Sequence, residues 1–168
     1  MSVDEQRLLM VSSFLIDYPF ADRLYSRALE VIKHLGRVGQ TVLLTNGDVV
    51  LQPRKLQRSG LWQAVEGRAL VCVHKEQMLH AIKRDYPARH YVIVDDKLCI
   101  LTAMKVIWQE QLITIFVRQD HYALDPAVVT GQPAADVTIE SISELADLDL
   151  LPLIKQAANE ACTTPEMP

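Results

Sequence analysis

The chain has 168 residues, 49% of them apolar and 23% charged, and a formal net charge of −4. That length suits one domain with a proper core, and the composition is globular rather than disordered. The negative balance gives no general attraction for nucleic acid, and the basic group Arg54, Lys55, Arg58 reads as a solvated helix face.

No run approaches the roughly 18 apolar residues that a membrane span needs. The opening MSVDEQRLLM carries acids where a signal peptide carries positive charge, so export is not expected. Cys72, Cys99 and Cys162 are widely spaced, and the first two lie in apolar segments where a reduced thiol packs as a small hydrophobe. An odd, scattered set fits the cytoplasm better than a disulfide framework. His74 and His80 share no helix face and no CxxC accompanies them, so zinc is unsupported.

In chain order, residues 8–20 (LLMVSSFLIDYPF) fit either a helix or a strand. Residues 28–35 carry apolar side chains at helical spacing, closed by Gly36 and Gly39. A short strand follows at 41–45 (TVLLT), then the turn Asn46-Gly47-Asp48. Residues 49–58, with Pro53 inside, read as a loop leading into a helix that ends at SGLW, 59–62. The strand 68–73 (RALVCV), with His74, Lys75 and Glu76 at its end, precedes a helix over 76–84. Next come the strand 91–94 within YVIVDD, a helix over 98–108, the strand 112–117 (LITIFV) and a weak strand at 137–139. A helix is expected from about Ile142, with a frayed tail after Ala161. Strands at roughly 25-residue intervals with helices between them imply right-handed crossovers and a parallel α/β sheet covered on both faces.

The hexamer YVIVDD carries the most chemistry. An apolar β-branched run ending in Asp95 and Asp96 reads as a central strand presenting two anions at its carboxyl end, the edge where open α/β sheets bind ligands. Adjacent carboxylates repel unless a cation or donors neutralise them, and oxygen-only ligation suits Mg²⁺. In a parallel sheet Thr45, Lys75 and the Asp95–Asp96 pair share one rim. Hydroxyl, ammonium and acid pair together suit a phosphate or another anion. The plain readings are that Thr45 caps a turn, Lys75 is solvated, Asp96 caps a helix and Asp95 faces water.

The order of these residues resembles the haloacid dehalogenase-like (HAD) hydrolases over about residues 25–145. TVLLTNGD is similar to the family's second motif, VCVHKEQML to its third and VIVDDKLCILTAMK to its fourth. A receiver domain also combines acids, Thr and Lys, but with its acidic pair first in the chain. The resemblance implies a Rossmann-like fold and Mg²⁺-dependent phosphoric-monoester hydrolysis of a small phosphorylated or other anionic substrate. It implies that Thr45 bonds the transferring phosphoryl group and that Lys75 neutralises nucleophile and substrate. Asp95, helped by Asp96, would anchor Mg²⁺, while Asn46 and Gly47 would supply backbone donors.

The family's first motif, an apolar strand ending in Asp-x-Asp that supplies the nucleophile, has no match before Thr45. The look-alike is FLID ending at Asp17, but Pro19 stands where the second acid belongs. Two expectations follow for residues 1–24. They are the remnant of a helical cap, with an upstream segment absent, or they substitute for the first strand with Asp17 as nucleophile. Residues 25–150 would form the core and 151–168 a helix end and tail. In this fold the first strand is central, so its loss would leave unpaired edges open to self-association and a chain that is catalytically impaired. The alternative is a non-catalytic phosphate-binding or regulatory module on the same fold. No nucleic-acid or membrane partner is expected.

Overall fold

The computed structural model describes residues 2–72 and 75–163. Helix α1 (Val3–Asp17) opens with a reciprocal cap: the Ser2 hydroxyl accepts the Glu5 N–H, and the Glu5 carboxylate accepts the Ser2 N–H at 2.6 Å. Asp4 and Glu5 in the first turn suit the helix dipole. Little covers this helix, since Leu8, Leu9, Met10, Val11 and Phe14 are all exposed. Residues 8–17 are therefore helical, and the strand-substitution reading of this segment is corrected: local capping and helical residues win where no sheet edge receives the chain.

The core then follows in order: α2 (Ala28–Leu35), β1 (Leu43–Asn46), α3 (Leu51–Arg58), α4 (Leu61–Ala64), β2 (Ala69–Cys72), α5 (Leu79–Asp85), β3 (Tyr91–Asp95), α6 (Leu98–Trp108), β4 (Leu112–Val117), α7 (His121–Leu124), α8 (Pro126–Val129), β5 (Val137–Ile139) and α9 (Leu151–Thr163). All pairings are parallel, but they form two sheets, β1–β2 and β3–β4–β5. This is the α/β architecture expected, with helices on both faces. Strand β4 is buried along its whole length and shows how. Leu112 packs with Leu79, Met104 and Trp108 of α5 and α6, and Phe116 packs with Leu98 and Leu101 of α6. Ile115 and Val117 point the other way, to Val31 of α2 and to Leu145 and Leu150.

Among the described residues, β1 pairs only with β2, and β3 only with β4. The two sheets meet through side chains instead: Leu44 of β1 packs on the same apolar cluster as Tyr91 and Ile93 of β3. Among the described residues no strand pairs with the other side of β1 or of β3, the strands bearing Thr45 and Asp95. Strand β5 is pinned by Asp136, whose Oδ2 accepts the Thr114 N–H and hydroxyl at 2.8 Å each and Lys105 Nζ at 3.0 Å.

Several local expectations change. SGLW ends α3 as expected, with Ser59 as its C-cap, but Gly60, at φ +81°, turns the chain and a separate short helix, α4, starts at once. The helix expected over 76–84 splits into a 3-10 turn (Lys75–Gln77) and α5. From Ile142 there is a capped 3-10 turn (Ile142–Ala146), and α9 starts only at Leu151. Asp120 and Asp125 cap the one-turn helices α7 and α8, which the strand and helix periodicities did not reveal. Cys99 is exposed rather than packed, and neither it nor Cys72 is in a disulfide. Val73, His74 and the tail at 164–168 lie outside the described residues.

Candidate active site

Strand β3 delivers Asp95 into the interior at its carboxyl end, where the side chain is 3% exposed. An anion so placed needs donors. Lys75 Nζ donates to Oδ2 at 2.6 Å, and the Lys97 N–H donates to Oδ1 at 2.9 Å, which also starts α6. Lys75 comes from the 3-10 turn after β2, and that turn packs against both β1 and α6. Strand ends from the two sheets are therefore brought together at one rim.

A cavity of about 270 Å³ opens there. Its polar lining is Tyr25, Lys75, Asp95, Asp96, Gln119 and Asp120, with Val94, Val117 and Ile142 as the apolar part. Burial pushes the Asp96 carboxyl above the ordinary carboxylate range, and the neighbouring Asp95 charge pushes it further, while Lys75 pulls it back. Asp120 is held down at about 2 by hydrogen bonds from the His121 ring and backbone and from the Tyr25 hydroxyl. The Tyr25 hydroxyl donates to Asp120 at 2.9 Å; burial, then that bond, raises its own pKa. The cavity thus carries one ammonium against three carboxylates. Among the described residues, no three His, Cys, Asp or Glu side chains cluster as a complete metal-binding set.

Thr45, Asn46 and Gly47 form a second group, not part of the cavity lining. The Thr45 hydroxyl donates to Gln52 Oε1 at 3.4 Å, and Gln52 Nε2 donates to the Asn46 carbonyl at 3.2 Å. The Gly47 N–H is already given to the Cys72 carbonyl at 3.1 Å. That bond extends the ladder between β1 and β2 by one residue. Asp17 stands exposed at the carboxyl end of α1, outside the cavity.

No protein-family model matches the chain, and no curated protein matches it. Among solved structures, a protein of Burkholderia xenovorans LB400, provisionally named a haloacid dehalogenase-like hydrolase, superposes with a TM-score of 0.82. The two are 58% identical over 86% of this chain and 67% of the other. The chain belongs to the haloacid dehalogenase-like hydrolases.

In this haloacid dehalogenase-like hydrolase the sequence-derived residues fall into three places. Lys75, Asp95 and Asp96 share one cavity, Thr45, Asn46 and Gly47 gather under Gln52, and Asp17 is with neither. Reading the sequence missed Tyr25, Gln119, Asp120 and Gln52. Asp120 was within reach, since it follows the LITIFV strand by three residues, the same strand-end placement that marked Lys75. Tyr25 and Gln52 carry no such signal, because loop and helix-start positions acquire a site only through the tertiary fold.

Proposed function

We propose that the Lys75–Asp95–Asp96 cavity is a Mg²⁺-dependent phosphate site of the phosphoric-monoester hydrolase type. We further infer that these residues alone bind a small phosphorylated substrate without turning it over at an ordinary enzymatic rate. One observation carries the reading: Lys75 is paired to a buried Asp95, and Asp96 and Asp120 leave surplus negative charge beside it. A phosphate would be repelled by that surplus, so a divalent cation is the partner the charges call for.

The donor set fits magnesium. Mg²⁺ is commonly held by one or two carboxylates with waters and phosphate oxygens completing its shell. Asp95 already serves Lys75 and the Lys97 N–H, so Asp96 would be the principal ligand and Asp95 its support. The Asp96 anion is disfavoured by burial and by Asp95, which a cation would reverse. When bound, the ion would screen phosphate charge and polarise its oxygens. Lys75 would share its ammonium between Asp95 and the substrate, and Tyr25 and Asp120 would border the leaving group.

Covalent phosphoryl transfer needs a carboxylate nucleophile aimed at the phosphorus. Asp17, exposed on a helix, is not so aimed, and Asp95 is committed to Lys75. The same observation favours a second reading, a phosphate-binding or regulatory module without turnover. Cys72 and Cys99, neither of them in a disulfide, support a cytoplasmic setting, and the single-sided pairing of β1 and β3 among the described residues supports self-association at those edges.

Calorimetry with Mg²⁺ and phosphate, alongside para-nitrophenyl phosphate turnover, tests the proposal. Binding that requires Mg²⁺ and disappears in Asp96→Asn, with turnover near background, is the expected result. Robust turnover abolished by Asp95→Asn but indifferent to Asp17→Asn would overturn the inactive reading. Absence of any phosphate or Mg²⁺ binding would overturn the site itself.

A further inference from the structure

Gln52 lies in the first turn of α3, and its side chain folds back over the turn that ends β1. Its Oε1 accepts the Thr45 hydroxyl at 3.4 Å, and its Nε2 donates to the Asn46 carbonyl at 3.2 Å. The turn is shaped around it. Gly47 sits at φ +145°, and a Cβ there would lie 2.3 Å from Gln52 Nε2 and 2.9 Å from its Cγ. Asp48 fixes where α3 starts, its Oδ1 accepting the N–H groups of Val50 and Leu51 at 2.8 Å each.

The strand geometry says what the amide replaces. A parallel ladder takes alternate residues of a strand to one side. Leu43 and Gly47 donate to the carbonyls of Arg68 and Cys72, so Thr45, of the same parity, also faces β2 with its backbone. Asn46 then presents its carbonyl to the side of β1 without a strand partner among the described residues, and Gln52 Nε2 satisfies it there. Gln52 thus covers both the open end of β1 and the Thr45 hydroxyl.

We propose that Gln52 is a gate on the phosphate site: an anion can use the Thr45 hydroxyl only by displacing the Gln52 amide. The gate rests on the phosphate reading given above and extends it to Thr45, which lies outside the cavity lining but on β1, the strand that packs against the turn carrying Lys75. A hydroxyl has one proton to donate, so donation to Gln52 Oε1 and donation to a phosphate oxygen exclude each other. The two bonds that hold the amide are long and neutral, which makes displacement by a charged acceptor feasible. Gln52 is a positioning residue in this scheme, setting the affinity and not the chemistry.

Titration of inorganic phosphate with Mg²⁺ into the protein, wild type against Gln52→Ala, tests the gate. Removing the competitor should tighten phosphate binding about 3- to 10-fold, the range expected for one to two weak neutral hydrogen bonds. Gln52→Glu should weaken it about tenfold or more, because a carboxylate over Thr45 repels the anion. In a Thr45→Val background, where the hydroxyl is gone, Gln52→Ala should bring no gain; a gain that persists there overturns the gate. Wild-type binding with equal or weaker binding by Gln52→Ala overturns the gate and leaves the phosphate site standing. Gln52→Glu that binds as wild type does the same, and decides the matter if Gln52→Ala fails to fold. Binding by Gln52→Ala alone supports the gate. Binding by neither wild type nor Gln52→Ala removes the phosphate reading and the gate together.

Discussion

Lys75 Nζ stands 2.6 Å from Asp95 Oδ2, with the ammonium side chain 19% exposed and the carboxylate 3%. The pair ties the turn after β2 to the end of β3, and so links two sheets that share no strand pairing among the described residues. Breaking one half of a buried pair leaves an uncompensated charge, which costs more than the pair contributes. Lys75→Met should therefore lose about 3 kcal/mol in urea denaturation, and the double variant Lys75→Met/Asp95→Asn should recover much of it. A single-variant loss well under about 1 kcal/mol would mean that Asp95 is not buried as an anion.

Asp96 runs the other way. Its folded-state pKa is raised, so its contribution to stability is fully present below the unfolded value of 3.8 and is lost as pH rises through the folded value. Asp96→Asn removes that loss. Its melting temperature at neutral pH should exceed wild type by about 1–3 °C, a modest shift because the group is partly solvated, and the two curves should converge below about pH 3.8. Equal melting points across the whole range would contradict the raised pKa.

Gly47 is irreplaceable for two separable reasons, its φ of +145° and the Gln52 side chain pressed against it. Gly47→Ala should cost about 1–3 kcal/mol by chemical denaturation. In a Gln52→Ala background the steric share should vanish and only the backbone share remain, giving a smaller penalty. A penalty unchanged in that background would show that the contact contributes nothing.

Much of the scaffold was legible in the amino-acid order, and the reasons differ by element. Strands β3 and β4 could be read because YVIV and LITIFV are continuous apolar runs of the kind only a doubly covered sheet accepts. Helix α2 could be read from its apolar spacing and closing glycine. Residues 8–17 could not, because LLMVSSFLID satisfies both periods and the deciding term was a reciprocal cap between Ser2 and Glu5. At the site, Lys75, Asp95 and Asp96 share a cavity because strand ends converge by topology. Thr45, Asn46 and Gly47 were marked by the same rule, but the rule is blind to a glutamine six positions beyond Asn46 that turns back onto them.

Asp136 offers a test of the sheet itself. It accepts the Thr114 N–H, the Thr114 hydroxyl and Lys105, and Thr114 is 3% exposed. Asp136→Ala leaves the two Thr114 donors without this acceptor, although Lys105 keeps the Leu112 carbonyl, and should cost about 2 kcal/mol in urea, while Asp136→Asn, which keeps an acceptor oxygen, should cost less. Equal losses would assign the effect to charge alone.

The split sheet gives the molecule two kinds of interior. Amides of β4 lie between strands on both sides, so their protons should exchange with deuterium only when the whole fold opens. Among the described residues, the strands at 43–46 and 69–72 pair only with each other, and a brief parting along the Leu44 contact would bare them without disturbing the three-stranded half. The protein should therefore breathe along that seam, and protection factors should step down sharply from one half to the other.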